Sequence, residues 1–188
     1  ITMGTLFKAA KMNDLITKHP MDGVRFTKPV RAVDDIKCLT TDEQQKFMEA
    51  AKRSHNYAQY ALILETGLRT GEMIGLTWDA IDFQNRTLTV SKTLEYRHKQ
   101  HFWRAGPPKT QQSYRTIPLT DRAYEILKEI KDKRPWQKES PLLSQTLEYI
   151  DRRTGAISRL VMRDLVFINW RTGEPAKNSS YDTHLYKL

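Results

Sequence analysis

Arg69, Glu72 and Lys109 have the types and spacing to act on a phosphate. Arg69 stands in Thr66-Gly67-Leu68-Arg69-Thr70-Gly71-Glu72, between two apolar, helix-like runs, Tyr57 to Glu65 and Met73 to Trp78. Gly67 stops the first run just ahead of the arginine that would open the next helix. A guanidinium at a helix start, beside unpaired backbone N–H groups and the positive end of the dipole, is a good setting for a phosphate. Glu72, three residues on, faces the same side and can hold the arginine's fork in one orientation. The same residues could equally form a plain helix boundary with a solvated Arg–Glu pair, so their surroundings decide between the two.

Those surroundings are basic. The 188 residues carry 31 Lys and Arg against 22 acids, a net charge of +9. Between Lys92 and Arg115 the cations Lys92, Arg97, Lys99, Arg104, Lys109 and Arg115 face a single acid, Glu95. Tyr96, His98, His101, Phe102, Trp103 and Tyr114 are interleaved with them. A basic ribbon with aromatics suits a nucleic-acid backbone, because cations there release condensed counterions; the competing reading is a solvated basic loop. Two histidines, His98 and His101, without acidic or thiol partners do not make a metal site. Cys38 is the only cysteine, which excludes an internal disulfide and a multi-cysteine metal site and fits a reducing cytosol. No 18-residue apolar run and no signal peptide point to a membrane or to export. The length allows one good core, or one domain and part of another.

The elements that must position these residues follow from periodicity and caps. Ile1 to Leu15 reads as a helix without a start signal, through Met3, Leu6, Phe7, Ala10 and Met12, and is expected to belong to a domain continuing upstream. Residues 24–38 carry prolines and mixed charge without periodicity, as a linker would. A new helix starts at Leu39-Thr40-Thr41-Asp42-Glu43-Gln44, where Thr41 with Gln44, or Thr40 with Glu43, can form a capping box. Helices are expected over Asn56 to Glu65 and from Arg69 to near Trp78. A turn at Asp82 to Arg86 leads into a strand, Thr87 to Val90. A second strand, Tyr114 to Leu119, is stopped by Pro118 at a sheet edge. Asp121 to Lys131 is a helix with Ala123, Tyr124, Leu127 and Ile130 on one side, Leu165 to Asn169 a short strand, and Tyr181 to Leu188 the beginning of a last helix.

This order is specific: helix, Thr-Gly-Leu-Arg-Thr-Gly-Glu, Leu76-Thr77-Trp78-Asp79-Ala80-Ile81-Asp82, strand, basic hairpin, then Pro108-Lys109-Thr110-Gln111-Gln112-Ser113-Tyr114-Arg115-Thr116-Ile117-Pro118-Leu119. From about Thr40 onward it resembles the tyrosine recombinase (phage integrase) family, most closely the integrases of conjugative transposons. The resemblance implies an α+β, mainly helical catalytic domain with a small antiparallel sheet over residues 39–188. It also implies that residues 1–23 are the last helix of a core-binding domain, with 24–38 as the interdomain linker. Arg69 then corresponds to the first of two catalytic arginines, Glu72 to its support, and Lys109 to the lysine carried on the sheet hairpin.

Family members cut one DNA strand with a tyrosine, forming a 3′-phosphotyrosyl bond and a 5′-hydroxyl, and then reverse the step with the same or a partner strand. The resemblance implies no cofactor and no metal, so protein cations neutralise the developing charge. Arginine can bind two non-bridging oxygens of the pentacoordinate phosphate, where lysine offers a point charge. Removing such a donor costs about 10²–10³ in rate. Lys109 can protonate the departing 5′-oxygen, which guanidinium does poorly. Arg115 is read as structural or backbone-contacting, Arg104 and Lys92 as base readers or clamps, and Arg97 and Lys99 as further DNA contacts.

The family pattern continues beyond the lysine with a His-x-x-Arg box, a further His or Trp, and the nucleophilic tyrosine. None of these follows here. Tyr186 and Tyr181 are not preceded by such a box, so the chain is expected to be a truncated recombinase that binds duplex DNA without forming the covalent link. Family members act as tetramers on the attachment sites of mobile elements; this chain is expected to be a monomer or weak assembly. The alternatives are a non-catalytic DNA-binding module or inhibitor with the same fold, which would have no need of Arg69, Glu72 and Lys109, and a type IB topoisomerase, which shares the chemistry.

Overall fold

The computed structural model describes residues 2–24, 38–133, 139–169 and 172–185. It divides into two units, Ile1–Leu39 and Thr40–Leu188. The described residues of the first hold one helix, α1 (Met3–Met12), which buries none of its residues and leaves Met3, Leu6 and Met12 exposed. His19 ties the turn after it back to the helix start, through its Nε2 at 3.1 Å from the Gly4 carbonyl. Most of the linker expected over 24–38, and Tyr186, lie outside the described residues.

The second unit begins as its capping sequence dictates. Of the two possible boxes the structure uses Thr40 with Glu43: the Thr40 hydroxyl accepts from the Glu43 N–H, and the Glu43 carboxylate accepts from the Thr40 N–H at 2.8 Å. That starts α2 (Thr41–Ala51), followed by α3 (Tyr57–Thr66). α3 ends because Gly67 adopts φ +63°, a left-handed conformation that is costly for any residue with a Cβ.

α4 (Thr70–Ile74) is shorter than the apolar run to Trp78 suggests. The reason is tertiary. Gly75 packs directly on strand β3 (Thr93–Arg97), and a Cβ there would lie 2.7 Å from the Leu94 nitrogen. The chain then leaves the helical path so that Leu76 can accept from the Val166 N–H at 2.8 Å and Thr77 can bridge to Leu165. A 3₁₀ turn, Trp78–Ala80, resumes beyond.

Strands β1 (Ile81–Asp82), β2 (Thr87–Val90) and β5 (Arg115–Pro118) form an antiparallel sheet in the order β1-β2-β5, with Leu88 opposite Ile117. Pro118 therefore falls on an edge strand, where its missing N–H breaks no ladder. Between β2 and β5 the chain makes a hairpin of β3 and β4 (Phe102–Gly106), with Tyr96 opposite Trp103. Helix α5 (Asp121–Lys133) buries Ala123, Ile126 and Leu127; its partly buried Tyr124 and Ile130 pack against the core.

A second hairpin, β6 (Thr146–Ile150) with β7 (Ile157–Val161), lies against β4. It was not among the elements expected from sequence, although both strands alternate and Gly155 marks a turn between them. A short pair, β8 (Ile168–Asn169) with β9 (Glu174–Pro175), precedes α6 (Asn178–Leu185). The core joins helices and hairpins through Leu62, Met73, Ile74, Leu88, Leu94, Leu127 and Leu160, none more than 1 % exposed. The fold is α+β, with small antiparallel sheets set among the helices.

Candidate active-site cleft

Arg69 sits where α3 has ended and α4 begins, as the N-cap residue of α4. Leu68, 4 % exposed, anchors the connection in the core, which turns the arginine outward. Its side chain is 65 % exposed, whereas that of Glu72 is 2 % exposed. The Glu72 carboxylate accepts the Arg69 backbone N–H at 3.0 Å and the Arg69 guanidinium at 2.7 Å. Arg115, reaching across from β5, gives it two more hydrogen bonds, at 3.2 and 2.8 Å. Arg115 also donates to the carbonyls of Ser113 and Gly67, joining the edge strand, the loop before it and the left-handed turn.

Burial pushes the Glu72 carboxyl up. The hydrogen bonds from Arg115 and from Arg69, with the Arg115 charge, more than offset this and hold it below its ordinary value. Glu72 is therefore an anion at neutral pH. One buried anion beneath two arginines leaves the surface of the cluster net positive and orients Arg69 without neutralising the pair.

Arg69 and Glu72 form one side of a cleft of about 600 Å³. Lys109 and Arg104 line it too, with Thr93, Gly106 and Pro107. Lys109 is exposed and lies in the loop after β4, just ahead of a 3₁₀ turn, Gln111–Ser113. No carboxylate among the described residues pairs with it. A guanidinium oriented by a buried carboxylate and an exposed ammonium lining the same cleft can together hold a phosphate and move a proton to it.

The remaining basic residues separate into classes that sequence alone did not distinguish. Arg104 is 60 % exposed and lies 3.8 Å from Glu95, while Arg97 lies 2.6 Å from the same carboxylate. Both also line the cleft. Lys99 is exposed at the β3–β4 turn. Lys92 differs: its side chain is 10 % exposed, and its ammonium lies 3.0 Å from both oxygens of Asp79. Burial raises the Asp79 carboxyl, but hydrogen bonds from Thr77 and Lys92, with the Lys92 charge, bring it below its ordinary value. Tyr181 is buried at 5 % exposure, and burial pushes its phenol well up. His98 stands 3.3 Å from the Ser179 hydroxyl, and no group of three or more potential metal ligands occurs among the described residues.

One string with the letters His-x-x-Arg does exist, His101-Phe102-Trp103-Arg104. It precedes Lys109 instead of following it. His101 occupies a turn at φ +55°, and β4 then alternates exposed Phe102, buried Trp103 and exposed Arg104. Residues three apart share a face on a helix and oppose each other on a strand, so this string cannot converge on one phosphate as a helical box would.

The family model described as "Phage integrase family" matches residues 37–185. The chain belongs to the phage integrase family. Among curated members, the "Tyrosine recombinase XerC-like" protein of Caldanaerobacter subterraneus subsp. tengcongensis is 28 % identical over 164 residues, covering 81 % of this chain and 41 % of the relative. The transposase from transposon Tn916 of Enterococcus faecalis is 30 % identical over 131 residues, covering 66 % of this chain and 31 % of the relative. The chain thus spans well under half the length of these relatives. Among solved structures, a Tn1549 transposon integrase in complex with a circular intermediate DNA superposes with a TM-score of 0.68 at 23 % identity, over 98 % of this chain and 54 % of that one. A lambda integrase tetramer bound to a Holliday junction superposes at 0.52, with 18 % identity, over 99 % and 44 %. These two likenesses establish a phage integrase fold. Within it, the cleft is bounded by Arg69 on α4 and by Lys109 on the loop that returns to β5.

Proposed function

We propose that this chain is the front part of the catalytic domain of a site-specific DNA recombinase that excises and integrates a mobile element by transesterification. The observation that carries the reading is that Arg69 and Lys109, some forty residues apart, line one cleft over a buried Glu72. In this reading Arg69 binds non-bridging oxygens of the scissile phosphate and Glu72 fixes its fork. Lys109 gives a proton to the 5′-oxygen as that bond breaks and the 3′-phosphotyrosyl bond forms. Arg115, on β5, supports Glu72 through both carboxylate oxygens. Arg104, Lys99 and Arg97, exposed or half-exposed on the β3–β4 hairpin, contact the DNA backbone; Lys92 holds Asp79 at its base. Residues 1–23 end a core-binding domain and 24–38 link it to the catalytic part. The nucleophilic tyrosine and second arginine are not among these 188 residues, so the chain alone binds duplex DNA without cutting it. The complete protein works in the cytoplasm as a tetramer on attachment-site DNA, without metal or cofactor.

The relatives support this through their names as recombinase and transposase, and the fold neighbours are integrases bound to DNA. The test is incubation of the 22.0 kDa chain with a nicked suicide duplex carrying the end of its element, followed by a denaturing gel and intact mass. Salt-sensitive duplex binding without a covalent species is expected. A covalent species lost on Arg69→Ala would put the nucleophile within these residues and overturn that part of the reading. Failure to retain duplex even at low salt would overturn the whole.

A further inference from the structure

The turn between β6 and β7, Asp151 to Ala156, lies beside the loop that carries Lys109, and it is fastened there. The Tyr114 hydroxyl donates to the Asp151 carboxylate at 3.0 Å and accepts the Arg152 N–H at 2.9 Å. Gln111, on the Lys109 loop, donates to the Arg152 carbonyl at 2.8 Å. The Arg153 guanidinium covers the Tyr114 ring at 4.9 Å from its centre. Tyr114 itself is buried, 9 % exposed. Asp151 also receives the turn's own Arg153 and Thr154 N–H groups, at 2.8 and 2.9 Å, so the turn is held both internally and from outside.

The consequence lies in what the fastened turn presents. Arg152 is exposed and forms part of the wall of the same cleft as Arg69, Lys109 and Arg104. Among the described residues it pairs with no carboxylate, in contrast to Arg159 on the same hairpin, which lies 3.0 Å from Glu148. Its backbone is held at both the N–H and the carbonyl, so its side chain loses less freedom on gripping a ligand than one on a loose loop. A cation kept exposed on a net-positive cleft has an anion as its natural partner.

We propose that Arg152 is a DNA-contacting residue of this site, taking a backbone phosphate oxygen beside the phosphate held by Arg69, and that Tyr114 is the positioning residue that keeps it there. This rests on the recombinase reading, because it takes the ligand to be duplex DNA.

The experiment measures duplex affinity of the chain against salt concentration, for the wild type and for Arg152→Gln, Arg152→Lys, Tyr114→Phe and Arg159→Gln, each checked for an intact thermal melt. Losing one phosphate contact lowers the slope of log affinity against log salt by about 0.9. Arg152→Gln is expected to do this and to weaken binding several-fold, and Arg152→Lys to restore most of the slope. Tyr114→Phe keeps the ring and every charge; it is expected to lower the slope in part, which a purely structural tyrosine would not do. Arg159→Gln is expected to match the wild type. A folded Arg152→Gln with wild-type affinity and slope would overturn the proposal while leaving the recombinase reading intact. A wild-type chain that binds no duplex would overturn both.

Discussion

Arg115 forks across the Glu72 carboxylate, giving one nitrogen to each oxygen, at 3.2 Å to Oε1 and 2.8 Å to Oε2. The two residues are far apart in sequence, one on the edge strand β5 and the other in the first turn of α4. Their pairing is what makes the Arg69 support a tertiary object, since Arg69 and Glu72 by themselves would form an ordinary local pair.

Replacing Glu72 by Gln keeps the shape and removes the charge. It would leave Arg69 and Arg115 facing each other without an anion, a loss of about 1–3 kcal/mol given that both cations keep some access to water. A urea titration of Glu72→Gln should show a lower midpoint at an unchanged slope.

The same carboxylate makes a pH prediction. Its folded value is lowered, so the stability it contributes is fully present above the ordinary carboxyl value of 4.5 and is lost as pH falls through the lower folded value. Urea midpoints followed from neutral to acid should fall below about pH 4.5 in the wild type. The fall should be shallower in Glu72→Gln, and equal falls would remove Glu72 as a source.

At the alkaline end the sign reverses. Burial, together with the charges of Asp151 and neighbouring groups, pushes the Tyr149 phenol up to about 12. The stability linked to its neutral form holds below the ordinary value of 10 and is lost progressively as pH rises towards 12. Tyr149→Phe should flatten that loss, and an absorbance titration should show one fewer late-titrating phenol.

Gly75→Ala tests the packing behind the cleft. The new methyl would meet the Leu94 nitrogen at 2.7 Å and the Thr93 carbonyl carbon at 2.9 Å, and backbone atoms of a paired strand cannot swing aside. We expect destabilisation of about 1–3 kcal/mol, read from the thermal midpoint. Gly71→Ala, whose nearest neighbour is the Leu94 oxygen at 3.5 Å, should be near neutral and serves as the comparison.

Lys99→Ala with Arg104→Ala probes the β3–β4 hairpin. If each cation meets one phosphate, the double variant should lower the salt slope of duplex binding by about 1.8. Lys92→Ala should leave the slope unchanged and lower stability, because its ammonium is held by Asp79. A Lys92 variant that loses salt dependence would return Lys92 to the DNA-contacting group.

Much of the fold was legible because it is written in local signals. The Thr40–Glu43 box, the glycine stop at Gly67, the alternation of Thr87 to Val90 and the proline at the end of β5 each act within a few residues. The apolar run through Trp78 misled because periodicity reports what could be helical. What ended α4 was Gly75 lying against β3, a strand eighteen residues on. The β6–β7 hairpin carries signals as local as these, alternating burial along both strands and Gly155 at φ +69° in the turn.

For the site, the sequence by itself determined the chemistry available: a guanidinium at a helix start, a carboxylate three residues later, and an ammonium on a basic loop, in an order that marks the family. Tertiary structure alone decided which cations share a cleft and which are neutralised. Lys92 and Lys109 are both lysines of one basic stretch, yet Asp79 holds the first while the second stays exposed. Arg152 reaches the wall of the cleft only because Tyr114 and Gln111 fasten its turn beside the Lys109 loop. Side-chain type is a property of the residue, whereas burial, counter-charge and orientation depend on elements that meet only when the chain folds.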